Sequence, residues 1–159
     1  MKKVKIGDIV EIPLPGGEFA YAQFTHYHQA PPRYGALLRV FTGAHESHRE
    51  KFEDLPGSEV QFVTFFPLQA AVNKGLVRIV FNLPVPPEAQ KFPTFRVSGL
   101  IDPTTRRALS WGIWDGEKEW KVKGELTDEQ RKLPILEGIN DTLLVERIIS
   151  RWTPEMDRA

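Results

Sequence analysis

All four histidines of this 159-residue chain fall between positions 26 and 48, as His26-Tyr27-His28 and His45-Glu46-Ser47-His48. An H-x-H pair on a strand turns both imidazoles to one face, which suits a metal ion. An H-x-x-H pair suits one side of a helical turn, and Glu46, Glu50, Glu53 or Asp54 would add a carboxylate. A metal-dependent hydrolase built on His26, His28, His45 and His48 is therefore one reading. It lacks a recognisable general base and a partner to orient the imidazoles. The second pair also sits in a polar stretch, where histidine is simply soluble. Two rim histidines and two loop histidines are the plainer reading.

Pro15-Gly16-Gly17 raises a second possibility, a loop that cradles phosphate. Such a loop needs a strand before it and a helix after it, with the helix amides facing the anion. Here an alternating, strand-like run follows the glycines, and no Lys-Ser or Lys-Thr comes after them. A hairpin turn is the expected role. Ser47, Ser58, Ser98, Ser110 and Ser150 are the candidate nucleophiles, and none sits in a G-x-S-x-G elbow.

Asp115, Glu117 and Glu119 flank Lys118 between Trp114 and Trp120. Two carboxylates held across a cleft would serve a glycosidase. Alternating charge after a turn more commonly marks a solvated strand edge. Tyr21, Phe24, Tyr27 and Tyr34 on a barrel-like sheet would also suit base stacking. A nucleic-acid binder normally carries a basic excess, however, and here 21 Lys and Arg balance 21 Asp and Glu. Neither half of the chain is strongly charged, so nucleic acid is a disfavoured partner.

The elements that must position these groups are mostly strands. Val10 and Ile12 share one parity with Ile6, with polar Asp8 between them, which predicts a half-buried strand. Phe19, Tyr21 and Tyr27 alternate with Ala20, Ala22 and Phe24, so the second strand is aromatic on one face and small on the other. Residues 34–42 and 60–66 read as further strands, separated by a polar loop over 44–57. Pro67 and Gly75 bracket a short helix. Residues 76–81 form a nearly continuous apolar run, which predicts a buried strand. Residues 82–93 carry four prolines and must be extended or looped, making them the one candidate linker. Residues 95–100 read as a weak strand. Asp115-Gly116 is the strongest hairpin signal, joining 109–114 to 120–122. Thr127 to Gln130 is a capping box. A last helix starts at Asn140-Asp141 and carries Val145, Ile148, Ile149 and Trp152 as one apolar stripe, until Pro154 stops it.

The expected fold is α+β, mostly β. It is a curled, barrel-like antiparallel sheet with a short mid-chain helix and C-terminal helices packed on it, in a single domain over 1–159. The hydrophobic fraction of 41% suffices for a core without staples. No cysteine is present, which excludes disulfides and Cys-based chemistry and fits a reducing compartment. The basic start lacks an apolar h-region, so no signal peptide is read, and no apolar run is long enough to span a membrane. A cytoplasmic protein without a cofactor and without a membrane partner is expected. Nothing in the sequence assigns an oligomeric state.

Several stretches, in order along the chain, carry a family resemblance: GDIVEIPLPGGEFAYAQF, FFPLQAAVNKGLVRIV, LPVPPEAQKFPTFRV, WGIWDGEKEWKVKGELTDEQRKLPI and INDTLLVERI. Together they resemble the immunity protein 26 family of bacterial polymorphic-toxin loci, over about residues 7–152. Ala22 stands where the family pattern leads one to expect glycine. The resemblance implies a mostly-β fold with terminal helices. It also implies a non-catalytic protein that protects its producer by binding and blocking a cognate toxin. It carries no catalytic pattern and no contact residues across. An occluding protein works through aromatic anchors and complementary charge. On that ground Tyr27, Trp111, Trp114 and Trp120 are candidate anchors, with Asp115, Glu117 and Glu119 facing a basic partner. Core packing is the competing role for each tryptophan.

Overall fold

A computed structural model describes residues 2–157. The chain forms two compact units. The first runs to Lys91 and takes back Glu137–Trp152, and the second begins at Phe92 and holds the chain through Leu136, resuming at Thr153. The chain thus passes between units just where the proline-rich 82–93 stretch ends.

The first unit is built on a five-stranded antiparallel sheet. Its strands are β1 (Asp8–Pro13), β2 (Phe19–His28), β3 (Gly35–Phe41), β4 (Val60–Phe66) and β5 (Arg78–Asn82), in the order β4-β3-β2-β1-β5. The fold is mostly β, with antiparallel sheets and a few helices, as the alternation predicts. The expected barrel-like closure does not occur: the outer strands β4 and β5 do not pair with each other. Pro15–Gly17 is a tight turn with Gly16 and Gly17 at φ +83° and +80°, and Pro13 pairs with Phe19 across it. The glycines turn a hairpin because they alone tolerate that backbone without strain.

One face of this sheet packs on helices α1 (Leu68–Asn73) and α4 (Asp141–Ile149). Val10, Ile12, Ala20, Ala22, Phe24, Leu38 and Phe66 meet Leu68, Leu144 and Ile148 there. Asn140 caps α4 by accepting the Leu143 N–H at 2.8 Å, as its cap position predicts. The buried stripe differs from the expected one. Leu144 and Ile148 are buried and Val145 is half-buried, while Ile149 is 55% exposed. Leu144 and Ile148, four residues apart on one face, are bordered by half-buried Leu143, Val145 and Trp152, so the stripe is centred about one residue earlier than expected.

The other face is also covered. Ile9, Tyr21 and Phe41 form a second cluster with Phe52 and Leu55 from the loop after β3. That loop was read as polar, but its Phe52, Leu55 and Pro56 are buried. Two further readings change. A bulge between Phe24 and His26 shifts the parity of β2, so Tyr27 does not continue the Tyr21 face and stands 55% exposed near Phe24. β5 is an edge strand with Phe81 exposed, not the buried strand its apolar run implied.

The proline-rich stretch is not wholly extended. Pro87 occupies the first position of a single helical turn, α2 (Pro87–Gln90), where its missing N–H costs nothing. The second unit holds a three-stranded antiparallel sheet of β6 (Phe95–Ser98), β7 (Trp111–Trp114) and β8 (Glu119–Lys121), in that order. It also holds α3 (Asp128–Arg131), which meets the turn at Pro154–Met156. The capping box forms as read: Thr127 Oγ1 accepts from Gln130 N–H at 3.1 Å and Gln130 Oε1 accepts from Thr127 N–H at 2.9 Å. Among the described residues, no helix is long and apolar enough to cross a membrane.

Candidate partner-binding hairpin and the buried Glu11 network

Six of the seven candidate contact residues lie on the β7–β8 hairpin, and Tyr27 belongs to the first unit. Asp115 makes the turn. Its Oδ1 accepts the N–H groups of Lys118 and Glu117 at 2.8 and 2.9 Å, and these bonds hold its carboxyl below the usual range. Gly116 follows at φ +101°, with the Phe92 ring 2.7 Å from where a Cβ would stand. The Asp-Gly signal therefore reflects both a backbone conformation and a close ring contact.

The three tryptophans divide. Trp111 is only 8% exposed, and the buried Arg96 guanidinium lies 4.7 Å from its ring centre. Trp114 meets Phe92 edge-on at 5.5 Å and Phe95 at 5.6 Å. Trp111 is buried, and Trp114 is half-buried against these two phenylalanines. Trp120, opposite Ile113, is 49% exposed on the outermost strand, flanked by exposed Glu119 and Lys121. It is the indole that faces solvent most openly.

Sequence reasoning missed a second set of exposed apolar residues in this unit. Leu100, Ile101 and Leu109 are all exposed on the long β6–β7 connection, where Ile101 bridges to Ala108 and Leu109 N–H donates to Leu100 O. A groove of about 320 Å³ runs over this sheet, with Gly99 and Gly112 in its lining between Val97 and Lys121. A Cβ at Gly99 would fall 2.1 Å from Ser110 Oγ, so a larger residue there must turn the Ser110 side chain away from the Leu100 N–H it accepts. Exposed apolar side chains beside a concave, glycine-lined strip are the anatomy of a docking surface.

The histidines do not converge. The His26 ring lies between Thr25 Oγ1 and Gln90 O, at 2.9 and 2.8 Å. His28 packs beside Tyr34 and Phe65. The His45 ring meets Tyr21 edge-on, while its backbone bonds to Phe19 in both directions at 2.8 Å. His48 Nδ1 sits 2.8 Å from Glu11 Oε1. Among the described residues, no group of three His, Asp or Glu is placed to hold a metal ion.

Glu11 was not singled out from the sequence, yet it is the centre of the densest polar network. Its side chain is 3% exposed. A buried carboxylate must be met by donors, and the register supplies them. Glu11 stands opposite Tyr21 on β2 and opposite Arg78 on β5. Tyr21 Oη donates to Glu11 at 2.8 Å, Arg78 Nη2 at 3.0 Å, and His48 closes the third side. Burial alone would raise the Glu11 pKa, but the bonds from His48 and Tyr21 and the charge of Arg78 outweigh it and lower it. A general base working near neutrality needs a shift the other way. The arrangement suits an ionic anchor that ties the 44–58 loop to the sheet. The signal was present in the alternation of Ile9 and Glu11, but it reads as a buried position only once the loop is known to cover that face.

Compared with known proteins, the chain matches no family model, no curated protein and no solved structure.

Proposed function

We propose that this chain is an immunity protein that acts in the cytoplasm by binding a cognate toxin and occluding its working surface. The observation that carries the reading is the β7–β8 hairpin, where Trp120 is 49% exposed on the edge strand with the charged Glu119 and Lys121 on either side of it in the chain. A half-buried aromatic ringed by charge is what a binding hot spot requires. The ordered segments that resemble the immunity protein 26 family point the same way. The ionised, fully bonded Glu11 fits a structural role and leaves the work to the surface.

The test is protection. The toxin gene adjacent to this one is expressed in a sensitive host with and without this chain. Growth restored by the chain, together with a stable purified complex of the two, supports the reading. Growth arrest unchanged by the chain, with no complex formed, contradicts it.

A further inference from the structure

β8 is the free edge of its sheet, and Glu119, Trp120 and Lys121 are all exposed along it. In an antiparallel ladder, alternate residues turn both backbone polar groups to the same neighbour. Val122 N–H donates to Trp111 O at 2.9 Å, and Asp115 N–H donates to Lys118 O at 3.1 Å. Residues 118, 120 and 122 therefore face β7. The N–H and C=O groups of Glu119 and Lys121 point away from it, to the open edge.

Charged side chains on an edge normally discourage pairing, because a second chain meets like charge. The signs here reverse that rule for one register. We propose that the β8 edge pairs antiparallel with the β8 edge of a second copy of this chain, about a two-fold axis at Trp120. Glu119 then stands opposite the copy's Lys121, and Lys121 opposite the copy's Glu119. Both are outward-facing residues, so each pair closes two backbone hydrogen bonds. Trp120 forms the central non-hydrogen-bonded pair, where facing side chains approach most closely. Glu117 lies in the turn, where its N–H already donates to Asp115, so the pairing is confined to Glu119–Lys121.

Neighbouring registers are penalised. A shift by two residues in either direction loses both Glu119–Lys121 pairs and sets Glu119 against the copy's Glu119 or Lys121 against its Lys121, while the opposite charges it gains, at Glu117 or Lys123, lie outside the strand. Neither Glu119 nor Lys121 has an ion-pair partner among the described residues, so the pairing breaks none. The result is one antiparallel sheet of six strands with two indoles side by side on one face. The pairing uses Glu119 and Trp120, which the proposed function sets against the toxin, so self-pairing and toxin binding compete for this edge; a chain that self-pairs and protects no cell loses the proposed function and keeps this interface.

Sedimentation velocity of the full chain, from low to high micromolar and at low salt, tests it. The expected result is a monomer–dimer equilibrium. Glu119→Lys sets Lys against Lys at both symmetric positions and weakens the dimer by about tenfold. The swap Glu119→Lys with Lys121→Glu restores it. Lys121→Pro removes an outward N–H that β7 does not use and abolishes dimerisation. Far-UV circular dichroism of each variant checks that the fold is kept. A chain that stays monomeric at every concentration, a Glu119→Lys variant that dimerises like wild type, or a swap that fails to restore pairing overturns the proposal.

Discussion

Tyr21 donates its phenolic hydrogen to Glu11 at 2.8 Å, while its own oxygen accepts the Arg49 N–H at 2.8 Å. One hydroxyl thus links strand β1 to the loop that covers its face. Burial and the neighbouring Glu11 carboxylate both keep this phenol protonated by raising its pKa. Tyr21→Phe removes a donor from a buried carboxylate and an acceptor from a loop amide. The expected loss is about 2 kcal/mol of unfolding free energy, the scale of a hydrogen bond to a charged group. Urea denaturation followed by fluorescence measures it. A loss under about 0.5 kcal/mol, the scale of an ordinary surface substitution, contradicts the anchoring role.

The same network sets a pH dependence. Glu11 has a lowered pKa in the folded state, so its bonds stabilise the fold fully above the ordinary carboxylate range. That contribution is lost as pH falls through the folded pKa, because the unfolded chain takes up the proton first. His45 adds a loss of the same sign at milder acidity. Burial first, and Arg49 second, lower its pKa below 6.5, so the folded state disfavours its protonated form. Stability of the wild type therefore falls in two stages between neutral pH and strong acid. Denaturant midpoints at a series of pH values show this. Glu11→Gln shrinks the lower stage and leaves the upper one, and His45→Gln shrinks the upper stage and leaves the lower one.

The corrected face of α4 gives a paired prediction. Leu144 is fully buried on the sheet, whereas Ile149 is largely exposed. Leu144→Ala costs about 2–5 kcal/mol through lost burial and a residual cavity. Ile149→Ala stays within about 0.5 kcal/mol, as a surface substitution does. Thermal or urea melts of both variants check the pair. Equal losses would restore the stripe read from the sequence.

Gly116 ties the hairpin to its ring cluster. At φ +101°, with Phe92 2.7 Å from the position of a Cβ, alanine is both strained and obstructed. Gly116→Ala costs about 1–3 kcal/mol from backbone strain, before any displacement of Phe92. The near-ultraviolet dichroism of Trp114 and Phe92 falls with it, since the two rings meet edge-on. An unchanged aromatic signal contradicts this packing.

Local chemistry in the sequence translated well where it involved neighbours in the chain. The Pro15-Gly16-Gly17 hairpin, the Asp115-Gly116 turn, the Thr127 capping box and the Asn140 cap depend on residues a few positions apart, and each formed as read. What failed depends on distant partners. The open sheet follows from the absence of a β4–β5 ladder, which no local pattern encodes. Tyr27 left the Tyr21 face through one extra residue in β2. Glu11 carries no local mark of burial, because the loop bearing Phe52 and His48 that covers it lies some forty residues away. Trp111 and Trp120, alike in sequence, separate into core and surface only through which strand forms the edge.

The most direct test of the central claim is calorimetric titration of the purified product of the adjacent toxin gene with this chain and with its Trp120→Ala variant. Tight binding by the wild type is expected, with a loss of roughly thirtyfold or more for the variant, the scale of a hot-spot truncation. No binding by the wild type, or equal affinity for the two proteins, contradicts it.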